Sequence, residues 1–188
     1  MTLTLVLGGA RSGKSGYAEH RAADTGREVL YVATARACDG EMAGRIARHR
    51  AQRPAHWATV EEPVHLGDAL ATHASPSRVI LIDCLTLWLS NVLFAGSEPF
   101  PEVGEIELPH SFVAERAALL SALASAKGDI ILVSNEVGMG IVPMGAATRM
   151  FMDEAGRLNQ ALAAVCGEVV FVAAGLPLVL KASSCSPV

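Results

Sequence analysis

Eight residues near the start of the chain, Gly8 to Ser15 (GGARSGKS), constrain its fold more than any other stretch. They match G-x-x-x-x-G-K-[ST], with Gly8, Gly13, Lys14 and Ser15 at the defining positions. Such a loop works only between a strand and a helix. Its glycines adopt backbone conformations closed to other residues, so successive N–H groups turn inward toward phosphate oxygens. The lysine brings a point charge to the β and γ phosphates, the serine a hydroxyl ligand for Mg²⁺, and the following helix its positive dipole end. The flanks meet that demand: Leu3 to Leu7 reads as a strand, and Lys14 to about Thr25 as a helix. Gly8, Gly9, Ala10, Arg11, Ser12, Gly13, Lys14 and Ser15 are therefore candidate nucleotide contacts, with Lys14 in a catalytic role and Ser15 on the metal.

The rest of the chain repeats the alternation. Short apolar runs at Glu28 to Ala33, Val79 to Ile82, Ile130 to Val133 and Val169 to Ala173 predict buried strands. Helices are expected over Asp39 to about Arg53, from Pro63 to about Ala74, through Leu85, Trp88, Leu89 and Val92, over Ser111 to Ala126, and over Ala147 to Val165. Leu178 to Leu180 is expected to pair back through a turn at 175 to 177, and residues 96 to 110 to form a surface loop. Apolar strands alternating with helices imply an α/β fold, a mainly parallel sheet with helices on both faces. At 188 residues, with no internal repeat and no linker, the chain is expected to form one domain over 1–188.

A triphosphate enzyme of this kind needs a carboxylate at the end of a neighbouring strand for the metal. Asp83, directly after VILI, is the candidate. A second segment, DGEMAGRIARHRAQRP (39 to 54), clusters Arg45, Arg48, Arg50 and Arg53 around His49. His49 shares a stripe with Met42 and Ile46, so it reads either as a half-buried packing residue or as a nucleophile. Imidazole can attack phosphorus and hold the transferred group as a phosphoramidate, with arginines stabilising the leaving group. Composition and periodicity leave both readings open.

The formal net charge of −4 argues against nucleic acid as a partner, since no basic excess is available to neutralise phosphates. Cys38, Cys84, Cys166 and Cys185 lack metal-site spacing and read as reduced thiols. The N-terminal apolar run has no preceding positive charge, and no window reaches the length of a membrane span, so a soluble cytoplasmic protein is expected.

Taken together, LGGARSGKS, YVATA (31 to 35), the His49 segment, HWATVEEP (56 to 63), DCLTLWLSNVLF (83 to 94), SNEVGMGIVP (134 to 143), MFMDEAGRLNQALA (150 to 163) and AGLPLVLK (174 to 181) resemble the bifunctional adenosylcobinamide kinase and adenosylcobinamide-phosphate guanylyltransferase family of cobalamin biosynthesis. The resemblance implies a RecA-like P-loop NTPase fold and a homotrimer. It implies two reactions: phosphorylation of adenosylcobinamide by ATP or GTP, then transfer of GMP from GTP to adenosylcobinamide phosphate with release of pyrophosphate. It places the GMP-carrying histidine at His49 and further nucleotide contacts at Ala33, Thr34, Ala35, Arg50, Ala51, Gln52, Arg53, Glu61 and Asp83. The rival readings are a P-loop kinase for another small metabolite, with His49 structural, and a RecA-like ATPase driven by nucleic acid or a partner.

Overall fold

The computed structural model describes residues 1–36, 40, 44, 47, 50, 53–96 and 100–182. Its strands are β1 (Leu3–Gly8), β2 (Glu28–Ala33), β3 (Ala58–Glu61), β4 (Arg78–Asp83), β5 (Asp129–Asn135), β6 (Glu168–Ala173) and β7 (Leu176–Lys181). Outside the 37–52 segment, its helices among the described residues are α1 (Lys14–Asp24), α2 (Leu66–His73), α3 (Leu85–Leu93), α4 (His110–Ser125) and α5 (Ala146–Val165). The strands form one seven-stranded sheet in the order β3-β2-β4-β5-β1-β6-β7. Every pairing is parallel except β6 with β7.

Burial on both faces explains the apolar runs. Alternate side chains of a strand point to opposite faces, and here each face meets helices. On one side Leu5, Leu7, Ile80, Ile82, Ile130 and Leu132 pack with Trp88, Phe112, Leu119 and Leu158 from α3, α4 and α5. On the other, Val6, Tyr31, Leu81, Val133 and Val172 pack with Ala18 and Ala22 of α1 and with Trp57. The expected helices on both faces are present, distributed unevenly.

Three expectations change. β3 is an additional edge strand, paired parallel to β2 from Leu30↔Ala58 to Ala33↔Glu61. α2 begins at Leu66 rather than at Pro63, because Glu62 Oε1 accepts the N–H groups of Val64 (2.9 Å) and His65 (2.8 Å) and holds a turn there. The closing turn falls at Ala174 and Gly175, both with positive φ (52° and 78°), so β7 starts at Leu176 and continues to Lys181. The helix expected over Asp39 to Arg53 is described as helical and exposed at Gly40, Gly44, Ala47 and Arg50, whereas Arg53 sits in a bend. The 96 to 110 segment is partly anchored where described: Phe94 and Phe100 meet edge-on at 5.3 Å, and Ile106 and Leu108 pack against the core. Among the described residues no helix is long and apolar enough to cross a membrane.

Candidate functional site

The C-terminal ends of β1, β2, β4 and β5 open onto a cavity of about 890 Å³, the place where open α/β sheets bind ligands. The P-loop forms one wall. Gly8 closes β1 under tight constraint: a Cβ there would stand 2.4 Å from the Val172 carbonyl oxygen and 2.5 Å from Ser12 Oγ. Gly13 takes φ 94° at the N-cap of α1, which no side chain caps. That helix end therefore offers unshared N–H groups to an anion. Lys14 is buried, and its Nζ donates to the Gly9 carbonyl at 3.2 Å. The Ser12 hydroxyl is buried without a hydrogen-bond partner among the described residues. The β6–β7 turn braces the loop from behind, the Gly175 N–H donating to the Ser12 carbonyl at 2.8 Å.

Asp83 ends β4 in register with Ala33 of β2 and Val133 of β5. Burial first, and the neighbouring Asp83 charge second, push the Tyr31 phenol far above its ordinary range. The Arg53 guanidinium lies over the Tyr31 ring, its Cζ 3.3 Å from the centroid, and pairs at 3.9 Å with Glu19 of α1. Burial, then the Asp83 charge, raises the Cys84 thiol as well. Cys84 and Cys166 are free thiols, and no group of His, Cys, Asp and Glu with metal-cluster geometry occurs among the described residues.

Most of the expected site is brought together. Ala10, Arg11, Ser12, Gly13, Lys14, Ser15, Ala33, Ala35, Arg50, Arg53, Glu61 and Asp83 all line the one cavity. Gly8 and Gly9 do not line it. Thr34 is fully buried, and its hydroxyl is committed to the main chain: it donates to the Cys84 carbonyl (2.7 Å) and accepts from the Cys84 N–H (2.9 Å). Asn91 Nδ2 holds the Thr34 carbonyl at 2.8 Å. His49, Ala51 and Gln52 lie outside the described residues.

The lining also includes Tyr31, Thr59, Cys84, Leu87 and Val137, which were not among the candidate contacts, and Asn135 and Glu136 of SNEVGMGIVP, which the family resemblance offers as lining for the cobinamide side. A signal for two of them was available. Tyr31 lies two residues before Ala33 and Thr59 two before Glu61, and residues two apart on a strand share a face. Asn135 ends β5 beside Gly8, and its Nδ2 donates to Thr86 Oγ1 at 2.6 Å.

Residues 4–180 match the family described as cobinamide kinase / cobinamide phosphate guanyltransferase. The chain is 52% identical over 177 residues to the bifunctional adenosylcobalamin biosynthesis protein CobP of Pseudomonas aeruginosa, covering 94% of this chain and 96% of that protein. It is 42% identical over 181 residues to the bifunctional adenosylcobalamin biosynthesis protein CobU of Escherichia coli, covering 95% and 99%. Among solved structures, an ATPase of a bacterial type III secretion system superposes with a TM-score of 0.55 at 11% identity, over 90% of this chain and 50% of that one. That last likeness concerns the fold alone: it is RecA-like.

Proposed function

The chain belongs to the cobinamide kinase / cobinamide phosphate guanyltransferase family and is a bifunctional enzyme of adenosylcobalamin biosynthesis; we propose that both of its reactions run in the cavity at the C-terminal edge of the sheet. The observation that carries this reading is the convergence of the P-loop, Asp83, Arg53 and Glu61 on one space large enough for a nucleotide.

In the kinase reaction ATP or GTP lies with its β and γ phosphates on the α1 N-terminus and Lys14, which hold the γ-phosphoryl group in line with the hydroxyl of adenosylcobinamide. In the transferase reaction GTP occupies the same loop, and neutral His49 attacks the α-phosphorus. The bond from that phosphorus to the bridging oxygen breaks, and pyrophosphate leaves on the P-loop. Adenosylcobinamide phosphate then takes the GMP from His49, giving adenosylcobinamide-GDP. Arg50 and Arg53 stand on the cavity wall, where their charge favours a polyphosphate.

The Ser15 hydroxyl and the Asp83 carboxylate line the same cavity, a donor pair that suits Mg²⁺, which binds through few protein oxygens and the substrate's phosphates. Bound there, it would supply positive charge to offset that of the transferring phosphates. We read residues 1–188 as one domain, cytoplasmic, and assembled as a homotrimer.

Incubation with α-labelled GTP followed by denaturation tests the covalent step. Label should stay with the wild-type chain and disappear from His49→Ala. A wild type that retains no label, or a variant that keeps it, rules out the histidyl-GMP route.

A further inference from the structure

The cavity is lined by three carboxylates among the described residues: Glu61, Asp83 and Glu136. Strand order sets how far each stands from the phosphate loop. Neighbouring strands lie about 4.8 Å apart, which puts Glu61 on β3 roughly 19 Å from the P-loop strand and Asp83 on β4 roughly 10 Å away. Glu136 follows β5, the immediate neighbour of β1, and its own N–H donates to the Gly8 carbonyl at 3.1 Å. Of the three, it is the carboxylate fixed beside the loop that holds the γ-phosphate.

Its side chain is oriented as well as placed. Glu136 Oε1 accepts the N–H of Gly138 at 2.7 Å, and a Cβ at position 138 would come within 3.1 Å of that oxygen. One oxygen is thereby tied to the main chain, and the other has no hydrogen-bond partner among the described residues. Asp83, by contrast, lies beside the Tyr31 phenol. Beyond Gly138 the segment turns apolar side chains to solvent: Met139 is 78%, Ile141 98% and Met144 91% exposed. Arg149 fixes its backbone by donating to the carbonyls of Pro143 and Met144. An acceptor with a large organic body can rest on this shelf with its hydroxyl at Glu136, opposite the side where Ala33, Ala35 and Glu61 line the cavity.

We propose that Glu136 is the general base of the kinase reaction. This rests on the functional reading above. As the acceptor oxygen forms its bond to the γ-phosphorus, its proton passes to the free oxygen of the Glu136 carboxylate. The bond from the γ-phosphorus to the β–γ bridging oxygen breaks, and the nucleoside diphosphate leaves on Lys14 and the α1 N-terminus. Glu136 afterwards returns the proton to water. The guanylyl-transfer reaction needs no such base, since its acceptor is already an ionised phosphate.

Glu136→Gln separates this role from a structural one, because the amide oxygen still accepts the Gly138 N–H. With adenosylcobinamide and γ-labelled ATP, kcat should fall about 10²- to 10⁴-fold, the span of general-base contributions. KM for the corrinoid should stay within about threefold of wild type. With GTP and adenosylcobinamide phosphate supplied directly, the same preparation should lose at least about tenfold less of its rate than in the kinase reaction, and an unfolding midpoint equal to the wild type's reports that it is folded. A kinase kcat near wild type, or equal losses in both reactions, overturns the role of Glu136. A wild-type chain that phosphorylates no adenosylcobinamide overturns the functional reading itself.

Discussion

Tyr31 stands between Asp83, proposed above as a metal ligand, and Arg53. Its phenol feels the Asp83 charge, and its ring carries the Arg53 guanidinium. A partner that fixes the orientation of a metal-binding carboxylate commonly governs metal affinity by about 10- to 100-fold. Tyr31→Phe keeps the ring under Arg53 and removes only the hydroxyl. The Mg²⁺ concentration for half-maximal kinase activity should then rise by about tenfold, read from a metal titration at saturating nucleotide. Unfolding free energy should fall by about 1–2 kcal/mol, measured by denaturant titration. An unchanged metal dependence would assign the hydroxyl to stability alone.

At the scale of elements, α2 and α4 are tied by one titratable contact. His65, the N-cap of α2, sits with Nδ1 2.8 Å from Glu115 Oε1 on α4. That hydrogen bond first, and the Glu115 charge second, raises the imidazole above its usual value, with Glu62 and Asp68 acting in the same direction. A raised histidine stabilises the fold fully below its unfolded value of about 6.5, and the gain is lost as pH climbs through the folded value. The His65 side chain is 58% exposed, so solvent screening holds the contribution under about 1 kcal/mol. Glu115→Gln should therefore lower Tm by no more than about 4 °C in mildly acidic buffer and by nothing measurable in alkaline buffer. The same scale shows what the sequence can and cannot reveal. VILI and the run before Asn135 are legible because a central strand is buried on both faces. ATVE is not, because β3 is an edge strand whose four positions are exposed or half-buried, with Val60 its one large apolar residue. Pro63 suits a helix start, but the Glu62 side chain captures the N–H groups that the helix would otherwise begin with. The P-loop is legible as eight contiguous residues. Glu136 and Leu87 reach it only through a strand order that does not follow the chain, and no local pattern encodes that order.

For the whole molecule, surface chemistry decides how it associates. A formal net charge of −4 leaves no basic excess with which to neutralise a polyanionic strand. Duplex or single-stranded DNA should leave its nucleotide turnover unchanged at physiological salt. Leu176, Leu178, Val179 and Leu180 of β7 are all more than half exposed, apolar area that self-association would cover. Light scattering on the purified chain should return three times 19.6 kDa, independent of nucleotide. A monomer mass would exclude the homotrimer.

β1 lies between β5 and β6 in the sheet, and the β6–β7 turn holds the loop that follows it. β1 thus waits for segments made more than a hundred residues after it. The phosphate loop gains its last main-chain brace only when the β6–β7 turn closes. The order of synthesis and the order of assembly run in opposite directions, and a chain released short of Gly175 would carry the whole motif without the N–H that holds the Ser12 carbonyl.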